Sequence, residues 1–575
     1  MTELLLMGDD PLYLSGKNLP AAVDTETRGL TWEDRLLGIS MAWEEEGQLK
    51  SCYLLDPKGT DQLPMWGVSK VIPSERIVDI IEHLQIAAFA NHSFDYRFLL
   101  KHIGLRPLPN VVDVQHVAKH LGVQENGLSL AALYTKYVGA VSSETLKMKG
   151  NRGGLSKMDP ESVAQYARDD ALMTYRLDNA LRRNVGIGMY KPFHLRDQKF
   201  MHLVMKMVQR GVPLDMSHIE GRIVSYHKRM MEIQTQLIRV GIKNANSTKD
   251  VGGYCKANNI PVETTGAEDL ELWADQYPAL SLVVEFKSLD KAIGSWLEPI
   301  ANNGKWDGSL HSQLNPYGTK SYRMSSGDPN AQGIPMEERG HRAFGSMFGI
   351  FKSDDPEYQL WAFDLKQAEM RLAAVLSGDL DLQHTISQDG DIYKNLAKLI
   401  WGDEKKRQTA KQAQLSAMYE VGAKTFSIAC NITVKEAKDI LQQVRAKFPT
   451  ALRTSKSLTQ TMEITKKVDL VTGRPRWMTK IEIEEDQFYK AFNQLVQGSL
   501  AELVDDAMLR TEDALPNKMV LQIHDSIVLK ISKDPDRQKS EFETVFQCMQ
   551  ESVNSILTKY RKLPFPIDPK LYEVI

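Results

Sequence analysis

The sequence predicts a multidomain chain in which an α/β segment is followed by a larger α+β segment. Three observations carry this. The 575 residues exceed what a single hydrophobic core usually supports. Up to about residue 185, short apolar runs of strand character alternate with helical patterns. Further on, strand-like runs recur on either side of a long helical block, so a sheet must be assembled there from distant segments.

In chain order, Ala21-Ala22-Val23 and Ile86-Ala87-Ala88-Phe89-Ala90 read as buried strands that lead directly into acidic or amide residues. Long helical patterns run from about Met201 to Ile300, broken by the turn-rich stretch 243–249. After a mixed region, a mainly helical block extends from about Leu376 to Thr465. Strands return near 468–478 and 519–531, separated by helix that includes 487–509. No repeat or low-complexity tract interrupts this order.

Composition narrows the class. Hydrophobic content of 42% and charged content of 25% are those of an ordinary soluble globular protein. The four cysteines, Cys52, Cys255, Cys430 and Cys548, are scattered without a Cys-x-x-Cys pair, which suggests neither a zinc site nor a disulfide framework and fits reduced thiols in a cytosolic protein. No apolar run approaches the ~18 residues of a membrane span, and the N-terminus lacks a basic signal-peptide region. A net charge of −3 means that any nucleic-acid surface must be locally basic and offset by carboxylates elsewhere.

Those carboxylates fall into two sets. In the first, Asp24 and Glu26 lie two apart, on one face of a strand; Asp95 closes Asn91-His92-Ser93-Phe94-Asp95; and Tyr166 and Asp170 lie four apart, on one face of a helix. Taken singly, each reads as solvated surface charge; the ordered set does not. Phosphodiester hydrolysis wants two hard cations ~3.5–4 Å apart, one activating water and one steadying the leaving oxygen. Four carboxylates and a tyrosine provide for that. The set resembles the DEDDy class of 3′→5′ exonucleases, over about residues 19–185. The resemblance implies an RNase H-like domain, metal ligands Asp24, Glu26, Asp95 and Asp170, and a catalytic Tyr166 that positions the nucleophile. Asp169 rivals Asp170, but only Asp170 sits four residues from Tyr166.

In the second set, the strand-like Tyr358–Phe363 run delivers Asp364, and a helix starts within Leu365–Arg371. Two more strand-like runs flank His524-Asp525-Ser526, a hairpin tip carrying an acid. Alone, His-Asp at a turn is ordinary turn chemistry; with Asp364 it would make a two-metal site for phosphoryl transfer. Between them, Arg407, Lys411, Leu415 and Tyr419 recur every four residues, near one helical face. The cations suit a triphosphate, Leu415 a sugar, and Tyr419 a base pair or template; the bland alternative is a solvated amphipathic helix.

Together these residues resemble the polymerase I-like, family A DNA polymerases. Asp364…Glu369-x-Arg371 is similar to motif A, Arg407…Lys411…Tyr419 to motif B, and His524-Asp525 to motif C. Arg323-Met324-Ser325-Ser326-x-Asp328-Pro329-Asn330-x-Gln332-x-Ile334-Pro335 resembles the DNA-contacting stretch before motif A. Thr472-Gly473-Arg474 and Asn493-x3-Gln497-Gly498 match the segments before motif C.

The resemblance implies an exonuclease domain at 1–185 and a right-hand polymerase at 186–575, with a thumb at about 200–300, a palm at about 301–375 and 485–575, and fingers at about 376–484. It implies that Asp364 and Asp525 hold the metals and that Lys411 protonates pyrophosphate. Arg407, Lys411, Leu415, Tyr419, Glu369 and His524 would surround the nucleotide. Arg323, Asn330, Gln332, Arg371, Asn493 and Gln497 would contact DNA, partly in the minor groove, whose acceptors are nearly uniform for correct pairs. Mg²⁺, two per site with Mn²⁺ as the alternative, is the expected cofactor. Primer-template DNA and dNTPs are the expected partners of a monomer, with a helicase or single-strand-binding protein as further candidates. No insertion in the thumb segment speaks for a processivity factor. With nothing ahead of the exonuclease segment, no 5′ nuclease is expected and the setting looks phage-like.

The sequence also departs from the family pattern. Leu365 and Lys366 replace an aromatic-serine pair, Leu415 a phenylalanine or tyrosine, Glu420 a glycine, and Ser526 a glutamate. None is a metal-binding aspartate. Three other readings fit less well. A single-subunit RNA polymerase would not place the bulky Glu369 beneath the incoming sugar; a lone exonuclease would not need the second aspartates; and a catalytically dead binding module would not keep both sets.

Overall fold

The computed structural model describes residues 2–64, 67–122, 128–141, 152–184, 187–334, 347–387, 391–430, 432–560 and 563–572. Pro335 of the quoted motif and the junction at 185–186 lie outside them.

The N-terminal part is built on a seven-stranded mixed sheet in the order Val68–Pro73, Glu3–Gly8, Gln48–Leu55, Leu36–Glu45, Pro20–Thr27, Ile86–Phe89, Val111–Asp113. The two expected strands sit side by side and parallel, Ala22 opposite Ala88. Sequence reading passed over the other five strands, among them Leu36–Glu45, which pairs antiparallel with Pro20–Thr27. Its first eight residues are all buried, so no alternation marks it as a strand.

Two helices bring side chains to the ends of this sheet. His92–Ile103 follows Ile86–Phe89 and ends on Gly104, whose left-handed φ of 72° closes the C-terminus. The helix Pro160–Asn184 packs across the sheet strands. Next comes the helix Ile187–Arg210, in which Phe200, Met201, Leu203, Val204, Met205, Met207 and Val208 are all buried. These buried residues belong to one continuous core that runs from Leu4 through them to Phe363 and Leu529.

Asp197, fully buried on that helix, ties the parts together: it accepts from His116 Nε2 at 2.8 Å, Tyr317 Oη at 2.9 Å and Arg474 Nη2 at 2.6 Å. Burial alone would raise the Asp197 carboxyl, but Arg474 and His116 hold it well below the usual range.

The helices Met216–Arg239, Thr248–Ala257 and Pro278–Ala292 pack around a core of their own that includes Ile233, Leu237, Val251, Leu280 and Val283. The sheet expected from distant segments is four-stranded and antiparallel, in the order Met519–Ile523, Ser526–Ser532, Tyr358–Leu365, Ile567–Leu571. The last strand was not read from the sequence. Helices from Leu380–Ser387 to Pro449–Thr465, followed by the short ribbon Lys467–Asp469 and Pro475–Trp477, fill the gap between the sheet's strands. The long helix begins at Ala491, after a short turn at Gln487–Lys490, and not at 487. No helix among the described residues is long and apolar enough to cross a membrane.

Candidate active sites

Asp24, Glu26, Asp95, Tyr166 and Asp170 line one cavity of about 340 Å³. Three elements deliver them: the end of the strand Pro20–Thr27, the first turn of His92–Ile103, and one face of Pro160–Asn184. Asp170 is buried in the cavity wall, whereas Asp169 is only half-buried and accepts from Gln165 at 2.9 Å. Asp95 Oδ1 accepts from the Thr25 backbone at 3.2 Å and its hydroxyl at 2.6 Å. Burial, and then the nearby Asp113 charge, push the Asp95 carboxyl up to about 7 against those hydrogen bonds. The rim carries Leu30, 69% exposed, together with Gly29, Phe94 and Leu130. Sequence reading missed Leu30; an apolar residue six after Asp24 carries no signal until the cavity is seen.

The second site forms where two strand ends meet. Asp364 pairs across the sheet with Ser526, and its carboxyl is in hydrogen-bond contact with that of Asp525. Burial and then the Asp364 charge push Asp525 up to about 7, and burial raises Asp364 as well. His524 holds the hairpin tip with a left-handed φ of 55°; burial, and then Arg323, lower its pKa. Asp568 stands opposite Asp364 on the strand that sequence reading missed, adding a third carboxylate.

Among the described residues no three acidic, histidine or cysteine side chains gather closely enough to hold a metal ion by themselves. The donor sets nevertheless fit a hard divalent cation. Crowded, buried carboxylates with raised pKa values are relieved by positive charge, and Mg²⁺ commonly takes one or two carboxylates and completes its shell with substrate phosphate and water.

Glu369, on the helix Ala368–Ser377, is held from two sides: Tyr419 Oη donates to its Oε1 at 2.7 Å and Gln497 Nε2 at 3.3 Å. Tyr419 is the C-terminal cap of the helix Arg407–Met418, and burial followed by the Glu369 charge raises its phenol well above the usual range. Leu415 is half-buried one turn earlier. Arg407 and Lys411 both approach the Tyr393 ring, at 5.6 and 5.9 Å, and Arg407 Nε donates to Asp391 at 2.8 Å.

A groove of about 750 Å³ collects Arg323, Tyr419, Asn493 and Gln497 with Lys320, Tyr489 and Lys490, which the sequence did not single out. Asn330 is exposed and its Oδ1 caps the turn at Gly333. Gln332 Nε2 donates to the carbonyl and side chain of Gln522, at 3.1 and 2.9 Å, beside the hairpin tip. Arg371 departs from expectation. It is 4% exposed, and its guanidinium donates to the carbonyls of Lys366 at 3.0 Å and Pro564 at 2.8 Å. It buttresses the strand end instead of facing DNA, because it lies on the inward side of its helix.

Residues 212–568 match the family model "DNA polymerase family A", and residues 12–186 match "3'-5' exonuclease". This chain belongs to DNA polymerase family A. It carries a 3′-5′ exonuclease domain ahead of the polymerase domain.

Among relatives, the chain is 25% identical to DNA polymerase I of Helicobacter pylori strain ATCC 700392 / 26695, over 58% of this chain and 39% of that protein. It is 24% identical to DNA polymerase I of Chloroflexus aurantiacus, over 96% of this chain and 61% of the relative. It thus spans less than two thirds of these relatives. In fold it is similar to the polymerase domain of Pol1 from M. smegmatis, solved as a complex with DNA primer-template and dNTP: TM-score 0.73, 17% identity, 97% of this chain and 96% of that one. Family A polymerases and these exonucleases generally use divalent metal ions.

Proposed function

We propose that this chain is a template-directed DNA polymerase that adds deoxynucleotides to a primer 3′ end and removes mispaired ends by 3′→5′ hydrolysis. The observation that carries this is the presence of two separate carboxylate sites, each at strand ends. One has Asp364 in contact with Asp525; the other is the cavity of Asp24, Glu26, Asp95, Tyr166 and Asp170. Family membership supports the assignment, as does the likeness to a polymerase domain solved with primer-template and dNTP.

In this reading Asp364 and Asp525 would hold two Mg²⁺ ions, with Mn²⁺ as a substitute, and the first cavity would hold another pair. Bound there, such ions would lower the pKa of the attacking oxygen and neutralise charge on the leaving one. Arg407 and Lys411 draw in the triphosphate, with Lys411 placed to give a proton to departing pyrophosphate. Glu369, fixed by Tyr419 and Gln497, fills the space beside the sugar C2′. Leu415 and His524 complete the nucleotide surroundings. Arg323, Asn330, Gln332, Asn493 and Gln497 follow the primer-template through groove and backbone contacts. Tyr166 orients the water that hydrolyses the terminal phosphodiester.

Primer extension by the purified chain, with dNTPs, with rNTPs and with no nucleotide, tests the assignment. Extension is expected with dNTPs, little with rNTPs, and shortening of the primer with none. Equal extension with rNTPs would favour an RNA polymerase, and shortening under all three conditions a lone exonuclease.

A further inference from the structure

One ion pair ties the first candidate site to the ribbon that leads toward the second. Arg97 lies two residues after Asp95 on the helix His92–Ile103, and its side chain is 1% exposed. Its Nη2 donates to Asp328 Oδ2 at 2.6 Å and to the Asp328 carbonyl at 3.1 Å. Its Nη1 donates to Gln313 Oε1 at 3.3 Å. Gln313 and Gly327 face each other in the two-stranded ribbon of Gln313–Asn315 and Ser325–Gly327, so Arg97 holds both strands where the ribbon ends.

Asp328 Oδ2 also accepts from the Trp32 backbone N–H at 2.5 Å. Trp32 follows Leu30 on the rim loop of the first cavity; its ring stacks on His311 at 5.1 Å, and its carbonyl accepts from Lys101. One carboxylate therefore grips both rim elements of that cavity, the Gly29–Trp32 loop and the helix that carries Phe94 and Asp95. Asp328 takes a left-handed φ of 41°, which aspartate tolerates better than most residues.

On its other side Asp328 leads into Asn330 and Gln332, and Gln332 bonds to Gln522, which donates to the carbonyl of His524 beside Asp525. A continuous chain of hydrogen bonds and backbone thus runs from one aspartate site to the other. A buried guanidinium with one anionic partner has a single favourable arrangement, so the link is stiff where a solvated pair would slide.

We propose that Asp328, clamped by Arg97 and Trp32, is a positioning residue for proofreading. It fixes the exonuclease rim relative to the ribbon that follows the DNA, so that a primer end leaving the polymerase site is received without release from the protein. The inference rests on the function proposed above.

The test compares two substrates on the full chain. A single-stranded oligonucleotide enters the exonuclease site from solution; a mispaired primer-template, given with excess unlabelled DNA to limit action to one binding event, must pass between sites. Arg97→Gln is expected to leave single-strand excision and matched-primer extension within about twofold, and to lower the ratio of mispair to single-strand excision about fivefold or more, the scale of one lost buried pair. Arg97→Lys should fall between, Asp328→Asn should lower the ratio similarly, and the double variant should be no worse than either single change.

A purely structural staple would lower the melting temperature and leave the ratio unmoved. An unchanged ratio in folded Arg97→Gln, or in Arg97→Lys and Asp328→Asn if that variant does not fold, overturns the proposal. So does a parallel fall in both excision rates. Absence of extension or excision in the unaltered chain would instead overturn the parent reading.

Discussion

The hydroxyl of Tyr419 donates to Glu369 Oε1 at 2.7 Å, linking the end of the Arg407–Met418 helix to the first turn of the helix that follows Asp364. Gln497 donates to the same oxygen, so the Glu369 carboxylate is fixed by two donors from different helices. Glu369→Ala should raise ribonucleotide use relative to deoxyribonucleotide and slow both, because it opens the space and strands the Tyr419 hydroxyl at a cost of about 1–3 kcal/mol. Tyr419→Phe should shift selectivity in the same direction by less. The ratio of kcat/KM for rNTP and dNTP measures both; an unchanged ratio in Glu369→Ala would remove it from the sugar.

The two carboxylate sites should be separable by mutation. Asp24→Ala with Glu26→Ala is expected to abolish 3′→5′ degradation and leave extension nearly intact; Asp364→Ala or Asp525→Ala should do the reverse. Loss of both activities from either change in folded protein would contradict the two-site assignment.

Leu415 stands half-buried one turn before Tyr419, without a polar group to offer a nucleotide. The enzyme should therefore discriminate against dideoxynucleotides, and Leu415→Tyr should relax that by about tenfold, the worth of one hydrogen bond of roughly 0.5–1.5 kcal/mol. The comparison is kcat/KM for dNTP and ddNTP with the exonuclease disabled. Equal ratios in the two proteins would mean that this position does not face the sugar.

Asp95 and Asp525 are each held up to about 7. The folded state then binds more protons than the unfolded chain between the ordinary carboxylate range and about 7. These groups consequently contribute instability that grows as pH rises through that window and is complete above it. A divalent cation needs them deprotonated. Added Mg²⁺ should raise the melting temperature more at pH 8 than at pH 5.5, and apparent metal affinity should fall steeply below about pH 7. A Mg²⁺ effect independent of pH would show that these carboxylates are not ligands.

Arg407 is tied to Asp391, the cap of the helix Ile392–Trp401. A triphosphate must compete for that guanidinium. Asp391→Asn keeps the cap acceptor but removes the charge, so KM for dNTP should fall by a few fold while the fold is retained, since a partly solvated pair is worth about 0.2–1 kcal/mol. A raised KM would mean that Asp391 orients Arg407 for its ligand instead of holding it back.

Local patterns carried far in the sequence alone: the shared strand face of Asp24 and Glu26, the strand-end positions of Asp364 and Asp525, the four-residue spacing of Tyr166 with Asp170, and the Arg407 to Tyr419 spacing were all legible, because side-chain direction in strands and helices follows period and spacing. Three things were decided only by tertiary structure. Arg371 turned inward to the carbonyls of Lys366 and Pro564, since the burial of a helix face depends on what packs against it. Asp568 came beside Asp364 through a short edge strand whose burial pattern does not alternate. The left-handed backbone of Glu420, φ 55°, explains why the family places glycine there; its side chain is retained through a 2.9 Å bond from Ser455, which no local pattern announces. Sequence determines which face a residue takes within its own element. Which partner meets that face, as Asp328 meets Arg97 from a distant segment, is set by long-range packing and the pairing of buried charge.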